Sequence, residues 1–220
     1  MDFVIIAASP RTKSQSHTAT FVSAFSEGAH CAGASSHIFF LSDRACWHEA
    51  EEAFIRGKNI VFSMPVFCGT APGTFIEFAQ RLHSRLNENP DLPQDRKITF
   101  LVHAGLPSDG DFRCYGPYLK TLPAMLGGVF SGTIGFGNTI ASWHMETEKQ
   151  ALLQKLRDAG EEYVRNMYTF SPPEVFWGME SISEADGTAY CRFINRFFRH
   201  LALAQGCEEN LNDAPYGNAD

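Results

Sequence analysis

Phe3-Val4-Ile5-Ile6-Ala7-Ala8 is an apolar stretch that runs directly into the polar segment Ser9-Pro10-Arg11, and Ser14, Ser16 and Thr18 follow it. An apolar strand, a loop rich in hydroxyls with one guanidinium, and a following helix are typical of a βα unit that binds phosphate. Backbone N–H groups and the helix dipole favour a negative charge at the start of a helix. Hydroxyl groups and arginine add further hydrogen-bond donors. The stretch therefore predicts a phosphate-binding loop.

The composition of this loop narrows the kind of phosphate site. No glycine lies between Met1 and Glu27, which excludes the G-x-G-x-x-G and G-x-x-x-x-G-K-[ST] phosphate loops. A loop that binds through side chains as well as backbone suits a terminal monophosphate better than a pyrophosphate. The ordinary alternative is a βα turn whose Ser or Thr caps the helix. Capping needs one such residue, whereas this loop also carries Arg11 and Lys13.

Apolar and amphipathic patterns alternate along the rest of the chain. Strand patterns cover 3–8, 36–41, 59–63, 97–103 and 130–136, and helical patterns cover 16–27, 49–56, 73–86, 115–126 and 146–168. This alternation predicts an α/β three-layer sandwich in which helices cover both faces of a five-stranded parallel sheet. The strand order is expected to be 2-1-3-4-5, with a ligand at the carboxyl ends of strands 1 and 3.

The pattern changes after residue 168. Ser171-Pro172-Pro173 predicts a boundary between a domain at 1–168 and a C-terminal extension at 169–220. The extension contains an amphipathic helix with one apolar face and one basic stripe. The apolar face consists of Tyr190, Phe193, Ile194, Phe197, Phe198 and Leu201. The basic stripe consists of Arg192, Arg196 and Arg199. We expect this helix to pack on the core or on a second subunit. A membrane-surface role is a weaker alternative.

Composition excludes several classes of function. The 220-residue chain has a net charge of −7 and no basic patch, which argues against nucleic acid as a partner. No apolar run is long enough to cross a bilayer and no signal peptide is recognised, so no membrane insertion is expected. Six cysteines without a C-x-x-C pair predict free thiols in a reducing cytoplasm. The chain has neither H-E-x-x-H nor G-x-S-x-G, and we predict no metal site and no catalytic acid, base or nucleophile.

Two further loops follow predicted strands at the same edge of the sheet. Residues 63–74 contain Phe67 between prolines, so backbone N–H groups can meet the polar edge of a planar heterocycle while the aromatic ring covers its apolar area. Residues 103–111 contain Gly105 and Gly110, which allow a close approach to a ligand. Each loop is also compatible with an ordinary connection. His17 is expected to face solvent, and the roles of His103 and Trp143 stay open.

Three segments together resemble the NADPH-dependent FMN reductase and NAD(P)H quinone reductase family of flavodoxin-like flavoproteins. They are Ser9-Pro10-Arg11 with Ser14, Ser16 and Thr18, then Pro65-Val66-Phe67-Cys68-Gly69 with Pro72-Gly73, and His103-Ala104-Gly105. The resemblance covers residues 1–168 and implies a flavodoxin-like fold. It implies that Ser9, Arg11, Ser14, Ser16 and Thr18 hold the FMN phosphate. It also implies that Pro65, Val66, Phe67, Cys68 and Gly69 border the isoalloxazine, with Ala104 and Gly105 on its other edge. The chain departs from the family at Ala8, where glycine is usual, and at Phe67, where tyrosine is usual.

The resemblance implies an FMN-dependent oxidoreductase that takes hydride from NAD(P)H as co-substrate. Electrons then pass to a small acceptor such as a quinone or free flavin, and the protein is expected to be a cytoplasmic homodimer. Because flavin supplies this chemistry, no catalytic acid or base is required. Two alternatives stay open, since a fold does not determine function. One is a flavodoxin-like FMN electron carrier with a protein partner, and the other is a flavin-free binding protein.

Overall fold

The computed structural model describes residues 2–67, 69–89, 91–105, 115–177 and 184–207. The chain divides into two compact units, Met1–Glu180 and Ser181–Asp220. The first unit is built on one parallel sheet, whose strands are β1 (Phe3–Ala7), β2 (Ser36–Phe40), β3 (Asn59–Pro65), β4 (Arg96–His103), β5 (Gly128–Phe136) and β6 (Glu174–Trp177). Their order is β2-β1-β3-β4-β5-β6. The predicted parallel α/β architecture is confirmed.

The prediction of five strands was wrong, because β6 adds a sixth at the edge of the sheet. It pairs with β5 from Thr133↔Glu174 to Phe136↔Trp177. Its four residues are half-buried or exposed, since an edge strand has only one neighbour. Its apolar run, Val175-Phe176-Trp177, has only three residues and follows two prolines, so it is too short to mark a strand by itself. Its pairing with β5 depends on tertiary structure alone.

Six α-helices of the described residues surround the sheet in the first unit, namely α1 (His17–Cys31), α2 (Trp47–Arg56), α3 (Gly73–Glu88), α4 (Tyr115–Met125), α5 (Thr139–His144) and α6 (Glu146–Arg165). One core lies between the sheet and α2, α3 and α4, and includes Phe54, Phe62 and Phe78. The other lies between the sheet and α1 and α6, and includes Phe25, Val61 and Tyr163. These two cores form the predicted three-layer arrangement.

Two glycines allow α1 and α6 to pack in close contact. A Cβ on Gly28 would lie 1.8 Å from the carbonyl oxygen of Arg157, and a Cβ on Gly160 would lie 2.0 Å from that of Phe25. Both distances are far below a van der Waals contact, so neither position accepts a side chain without a backbone shift. The contact fixes α1 against the sheet and thereby sets where its first turn lies.

Arg96 joins several loops at the amino ends of the strands, on the side away from the predicted ligand site. Its buried guanidinium donates to the carbonyl oxygens of Phe54 (3.0 Å), Ile55 (2.9 Å) and Gly127 (3.0 Å), and to that of Pro93. No carboxylate pairs with it among the described residues. Burial lowers the pKa of Arg96. Backbone carbonyl oxygens thus take the place of a counter-ion.

The second unit contains helix α7 (Glu184–Ala204). Several of its large apolar side chains are exposed, namely Phe193, Phe198, Leu201 and Leu203. None of the helices in the described ranges is both long and apolar enough to cross a membrane.

Candidate functional site

A cleft of about 280 Å³ opens at the carboxyl ends of β1, β3 and β4. Its lining comes from the first two loops, from the end of β4 and from the start of α5, and consists of Ser9, Arg11, His17, Thr18, Pro65, Val66, Phe67, His103, Gly105, Thr139 and Ile140. Residues predicted to contact a phosphate therefore share one cleft with residues predicted to border a ring. This edge of a doubly wound sheet is where ligands bind in such folds.

The first loop places its polar groups in different roles. Ser9 is buried, and its Oγ accepts a hydrogen bond of 3.2 Å from the backbone N–H of Arg11. Ser16 is the N-cap of α1, where its Oγ accepts from the N–H of Ala19 at 3.4 Å. Ser14 is exposed, and its Oγ lies 3.5 Å from Thr12 Oγ1. Ser9, Arg11 and Thr18 line the cleft, whereas Ser14 and Ser16 do not.

The second loop turns sharply beside the cleft. Phe67 and Thr70 exchange two backbone hydrogen bonds of 3.0 Å each, which closes a tight turn. Gly69 has a φ of 74°, a conformation that glycine adopts without strain. Phe67 is 48% exposed, so this aromatic ring is open to a ligand at the mouth of the cleft. Cys68 lies outside the described residues.

Pro65 is part of β3, whereas the sequence predicted that this strand would end at residue 63. It pairs with His103 in the ladder between β3 and β4. Proline has no N–H, but the ladder continues through the N–H of Val66, which donates to the carbonyl oxygen of His103 at 2.7 Å. Pro65 is tolerated because it is the last residue of the strand.

His103 is a buried polar residue on the cleft wall. Its Nε2 lies 2.8 Å from Thr18 Oγ1. Its ring stacks on Phe136, with centroids 5.7 Å apart, and meets Phe21 edge-on at 4.9 Å. Burial, followed by the nearby His17, lowers the pKa of His103 to about 3. The imidazole is therefore neutral near pH 7 and offers one donor and one acceptor.

Hydrogen bonds to the backbone after β4 fix the part of the cleft wall that follows His103. The N–H and Oγ1 of Thr139 both donate to the carbonyl oxygen of Ala104, at 3.2 and 2.9 Å. The N–H of Ile140 donates to the carbonyl oxygen of Gly105 at 3.2 Å. A Cβ on Gly105 would lie 2.9 Å from Ile140 Cδ1, so a side chain here would require the end of the Ile140 side chain to shift. Ala104 is buried and outside the lining set, whereas Gly105 faces the cleft.

His17 does not face solvent as predicted, because its ring lines the cleft and stacks on Trp143. The two ring centroids are 3.8 Å apart with an interplanar angle of 22°. No helix was predicted between 137 and 144, whereas this segment contains α5, whose Thr139 and Ile140 line the cleft. Two residues in the sequence could have indicated this part of the site. His103 is a polar residue at the end of a buried strand, and Trp143 is an aromatic residue after β5. The predicted loop residues 106–111 lie outside the described part of the chain.

The cleft can hold an anion at one end and a planar ring at the other. The anion end has the Ser9 hydroxyl, the Arg11 guanidinium and the first turn of α1, which together favour a phosphate. The ring end has the apolar surfaces of Val66 and Phe67 and the backbone at Gly105. No group of three or more metal-ligating side chains occurs among the described residues.

No protein-family model matches this sequence, and no curated protein matches it. Solved structures do match. A flavone reductase is 16% identical over 80% of this chain with a TM-score of 0.57, and the match spans 66% of the reductase. A flavodoxin, the WrbA-like protein from Agrobacterium tumefaciens, is 17% identical over 76% of this chain and 98% of its own, with a TM-score of 0.53.

General stress protein 14 from Treponema denticola, solved in complex with FMN, is 13% identical over 76% of this chain and 99% of its own, with a TM-score of 0.53. At such identities the likeness concerns the fold. Together with the strand order, it shows that this chain has an α/β flavodoxin-like fold.

Proposed function

We propose that this protein is an FMN-dependent oxidoreductase that takes hydride from NAD(P)H and passes electrons to a small acceptor such as a quinone or free flavin. The observation that carries the proposal is the single cleft that joins Ser9, Arg11 and Thr18 to Pro65, Val66, Phe67 and Gly105. These groups fit FMN, because a phosphate monoester and a planar ring are the two ends of that molecule. The flavone reductase and the FMN complex among the similar structures support the same conclusion.

The phosphate end of FMN would be held by the first loop. Arg11 supplies the permanent positive charge, and Ser9 and Thr18 supply hydroxyl groups at the start of α1. Ser14 is exposed beside them and is available to a phosphate. Ser16 acts by capping α1, which keeps the first turn of the helix directed at the anion.

The ring end would be bordered by Pro65, Val66, Phe67, Cys68 and Gly69 on one side and by Ala104 and Gly105 on the other. Phe67 offers an exposed aromatic face and has no hydroxyl. His103, neutral near pH 7 and hydrogen-bonded to Thr18, adds a polar group to an otherwise apolar wall. FMN held by these residues would supply the redox chemistry. The protein binds, orients and shields the reactants.

The test compares FMN with riboflavin, which lacks the phosphate. Arg11→Met should weaken FMN binding roughly ten- to hundredfold, because a charge-assisted hydrogen bond contributes about 1.5–3 kcal/mol. The affinity for riboflavin should stay unchanged. Lys13→Met is the matched control, because the Lys13 ammonium lies 5.0 Å from the Phe40 ring centroid and outside the cleft lining.

Anaerobic NADPH then tests the reaction. Rapid bleaching of the flavin absorbance without any protein partner supports an oxidoreductase. Slow bleaching that requires a partner would instead identify an electron carrier. A colourless protein that ignores added FMN would overturn the proposal and favour a flavin-free binding protein.

We also propose that two copies of the chain associate. The exposed apolar side chains of α7, such as Phe198 at 50%, are available to a second copy. Sedimentation of the full chain should show a dimer, and deletion of 181–220 should give a monomer. This deletion point leaves β6 intact. A truncated chain that remains dimeric would exclude α7 from the interface.

A further inference from the structure

A second cavity lies beside the main cleft and has no part in the function proposed above. Its volume is about 210 Å³, and its walls include Phe136, Asn138, Glu148, Leu152, Lys155 and Trp177. Asn138 directly precedes Thr139, which lines the main cleft, so the two cavities flank the same segment. Trp177 reaches this position because it ends β6, the strand that the sequence did not predict.

The Asn138 side chain has an unmet hydrogen-bonding capacity. Its Oδ1 is buried without a hydrogen-bond partner among the described residues. The residue precedes α5 with a φ of 59°, yet its side chain does not cap the helix. That oxygen has almost no accessible surface, so Asn138 contributes its other atoms to the lining of the cavity.

Charged groups of both signs line the same cavity. The Lys155 ammonium lies 5.9 Å from the Trp177 ring centroid. Neither Lys155 nor Glu148 has an ion-pair partner within the described part of the chain. The cavity therefore offers one cation to an anionic ligand and one carboxylate to a hydrogen-bond donor.

The walls also suit an aromatic ring. The Trp177 and Phe136 rings lie with centroids 6.3 Å apart at an angle of 34°. Nucleic-acid bases stack favourably on aromatic side chains of this kind. The cavity is smaller than the ~300–1,000 Å³ that encloses a complete drug-sized ligand. It has room for one ring system, with the rest of the ligand outside.

We propose that this cavity binds the adenosine phosphate group of a nucleotide. The adenine edge carries a ring acceptor, to which the amide nitrogen of Asn138 can donate one hydrogen bond. Trp177 supplies the stacking surface, and Glu148 accepts from the ribose hydroxyls, as acidic residues do in dinucleotide sites. Lys155 pairs with the phosphate.

An adenosine phosphate group occurs in two kinds of ligand, namely a free adenine nucleotide and the adenosine end of NAD(P)H. The second source rests on the proposed function. The position of the cavity favours this source, because Asn138 of this cavity is the chain neighbour of Thr139 in the main cleft. The experiment separates the two sources.

The first measurement is calorimetric titration of AMP into the full-length protein, with and without FMN. Lys155→Ala and Asn138→Gly should each weaken AMP binding about tenfold, which is the loss of one hydrogen bond or ion pair to the ligand. Glycine is chosen for position 138 because it accepts the positive φ, so the fold is retained while the amide is lost. Lys149→Ala is the matched control, since that lysine lies on the same helix but 4.8 Å from the Trp143 ring. It should bind AMP like the parent protein.

The second measurement compares NADPH with reduced nicotinamide mononucleotide, which lacks the adenosine. If the adenosine end of the donor binds here, Lys155→Ala raises the KM for NADPH about tenfold, by the loss of the same ion pair, and leaves that for the mononucleotide unchanged. Loss of AMP binding with both KM values unchanged assigns the cavity to a free nucleotide.

Absence of AMP binding, or equal binding by the parent and both variants, overturns the proposal. The AMP titration needs no flavin, so it still reads out the cavity if the protein proves not to bind FMN. Conversely, a flavin reductase with no response to AMP leaves the proposed function intact and removes only this inference.

Discussion

His103 should make the stability of this protein fall as the solution becomes acidic. Its pKa is lowered from 6.5 to about 3 in the folded protein, mainly by burial and next by His17. Between these two values the unfolded chain binds a proton that the folded protein does not, so protons favour unfolding. The contribution of His103 is thus fully present above pH 6.5 and is lost as the pH falls toward 3. Linkage gives a loss of about 3 kcal/mol between about pH 7 and about pH 4.

The assay is urea unfolding of the parent protein and of His103→Gln at several pH values from about 7 to about 4. Glutamine does not titrate, and its amide can still meet the Thr18 hydroxyl. Groups remote from His103 titrate alike in both proteins, so the difference between their free energies of unfolding reports His103 together with its coupling to His17. This difference should change by about 3 kcal/mol in favour of the variant over that range.

An exposed histidine provides the control. His30 lies on the same helix as His17 but faces solvent, so His30→Gln should follow the curve of the parent protein. Parallel curves for the parent and His103→Gln would refute the reasoning, because they would mean that the imidazole charges without cost in the folded state. An imidazole NMR titration of His103 with a midpoint at the ordinary histidine pKa, near 6.5, would refute it as well.

Three further predictions concern the elements that position the site. Arg96→Met should lower the free energy of unfolding, measured in urea melts, by about 3–5 kcal/mol, because four carbonyl oxygens lose their donor. A variant as stable as the parent protein would show that the cost of desolvating the guanidinium outweighs those four hydrogen bonds. Gly28→Ala should cost at least about 2 kcal/mol by thermal melting, since its Cβ would lie 1.8 Å from a backbone oxygen. The control is Gly116→Ala, whose Cβ would meet nothing within 4 Å, and which should be neutral or stabilising by up to about 1 kcal/mol. Equal losses of stability in the Gly28 and Gly116 variants would rule out steric overlap as the cause. Ser16→Ala should destabilise the protein by about 1 kcal/mol through loss of the helix cap, whereas weaker FMN binding without any change in stability would assign Ser16 directly to the phosphate.

The sequence predicted those parts of the fold that local pattern determines. Continuous apolar runs such as Phe3–Ala7 mark strands that are buried on both faces, and their alternation with amphipathic helices implies a parallel sheet. Helix α3 was predicted at 73–86 and spans Gly73–Glu88, because Phe75, Phe78 and Leu82 repeat at helical spacing on one face. These signals depend on neighbours in the chain and need no tertiary information.

The candidate site was accessible from the sequence only in part. The first and second loops carry unusual residue types directly after strands, so Ser9, Arg11 and Phe67 were identified and do line one cleft. His17 was expected to face solvent, and Thr139 and Ile140 belong to a segment where no helix was predicted, so none of the three was assigned to the site. They line the cleft because α1 and α5 begin at the same edge of the sheet.

The sequence by itself determined the α/β class, the parallel sheet and the two loops that begin the cleft, because each follows from periodicity or from residue types at a strand end. Tertiary structure alone decided the addition of β6, the stacking of His17 on Trp143 and the neutral state of His103. These features arise from contacts between residues far apart in the chain, such as Phe136 and Trp177 or Thr18 and His103. Burial and pairing of this kind depend on how the layers meet, which no local pattern encodes.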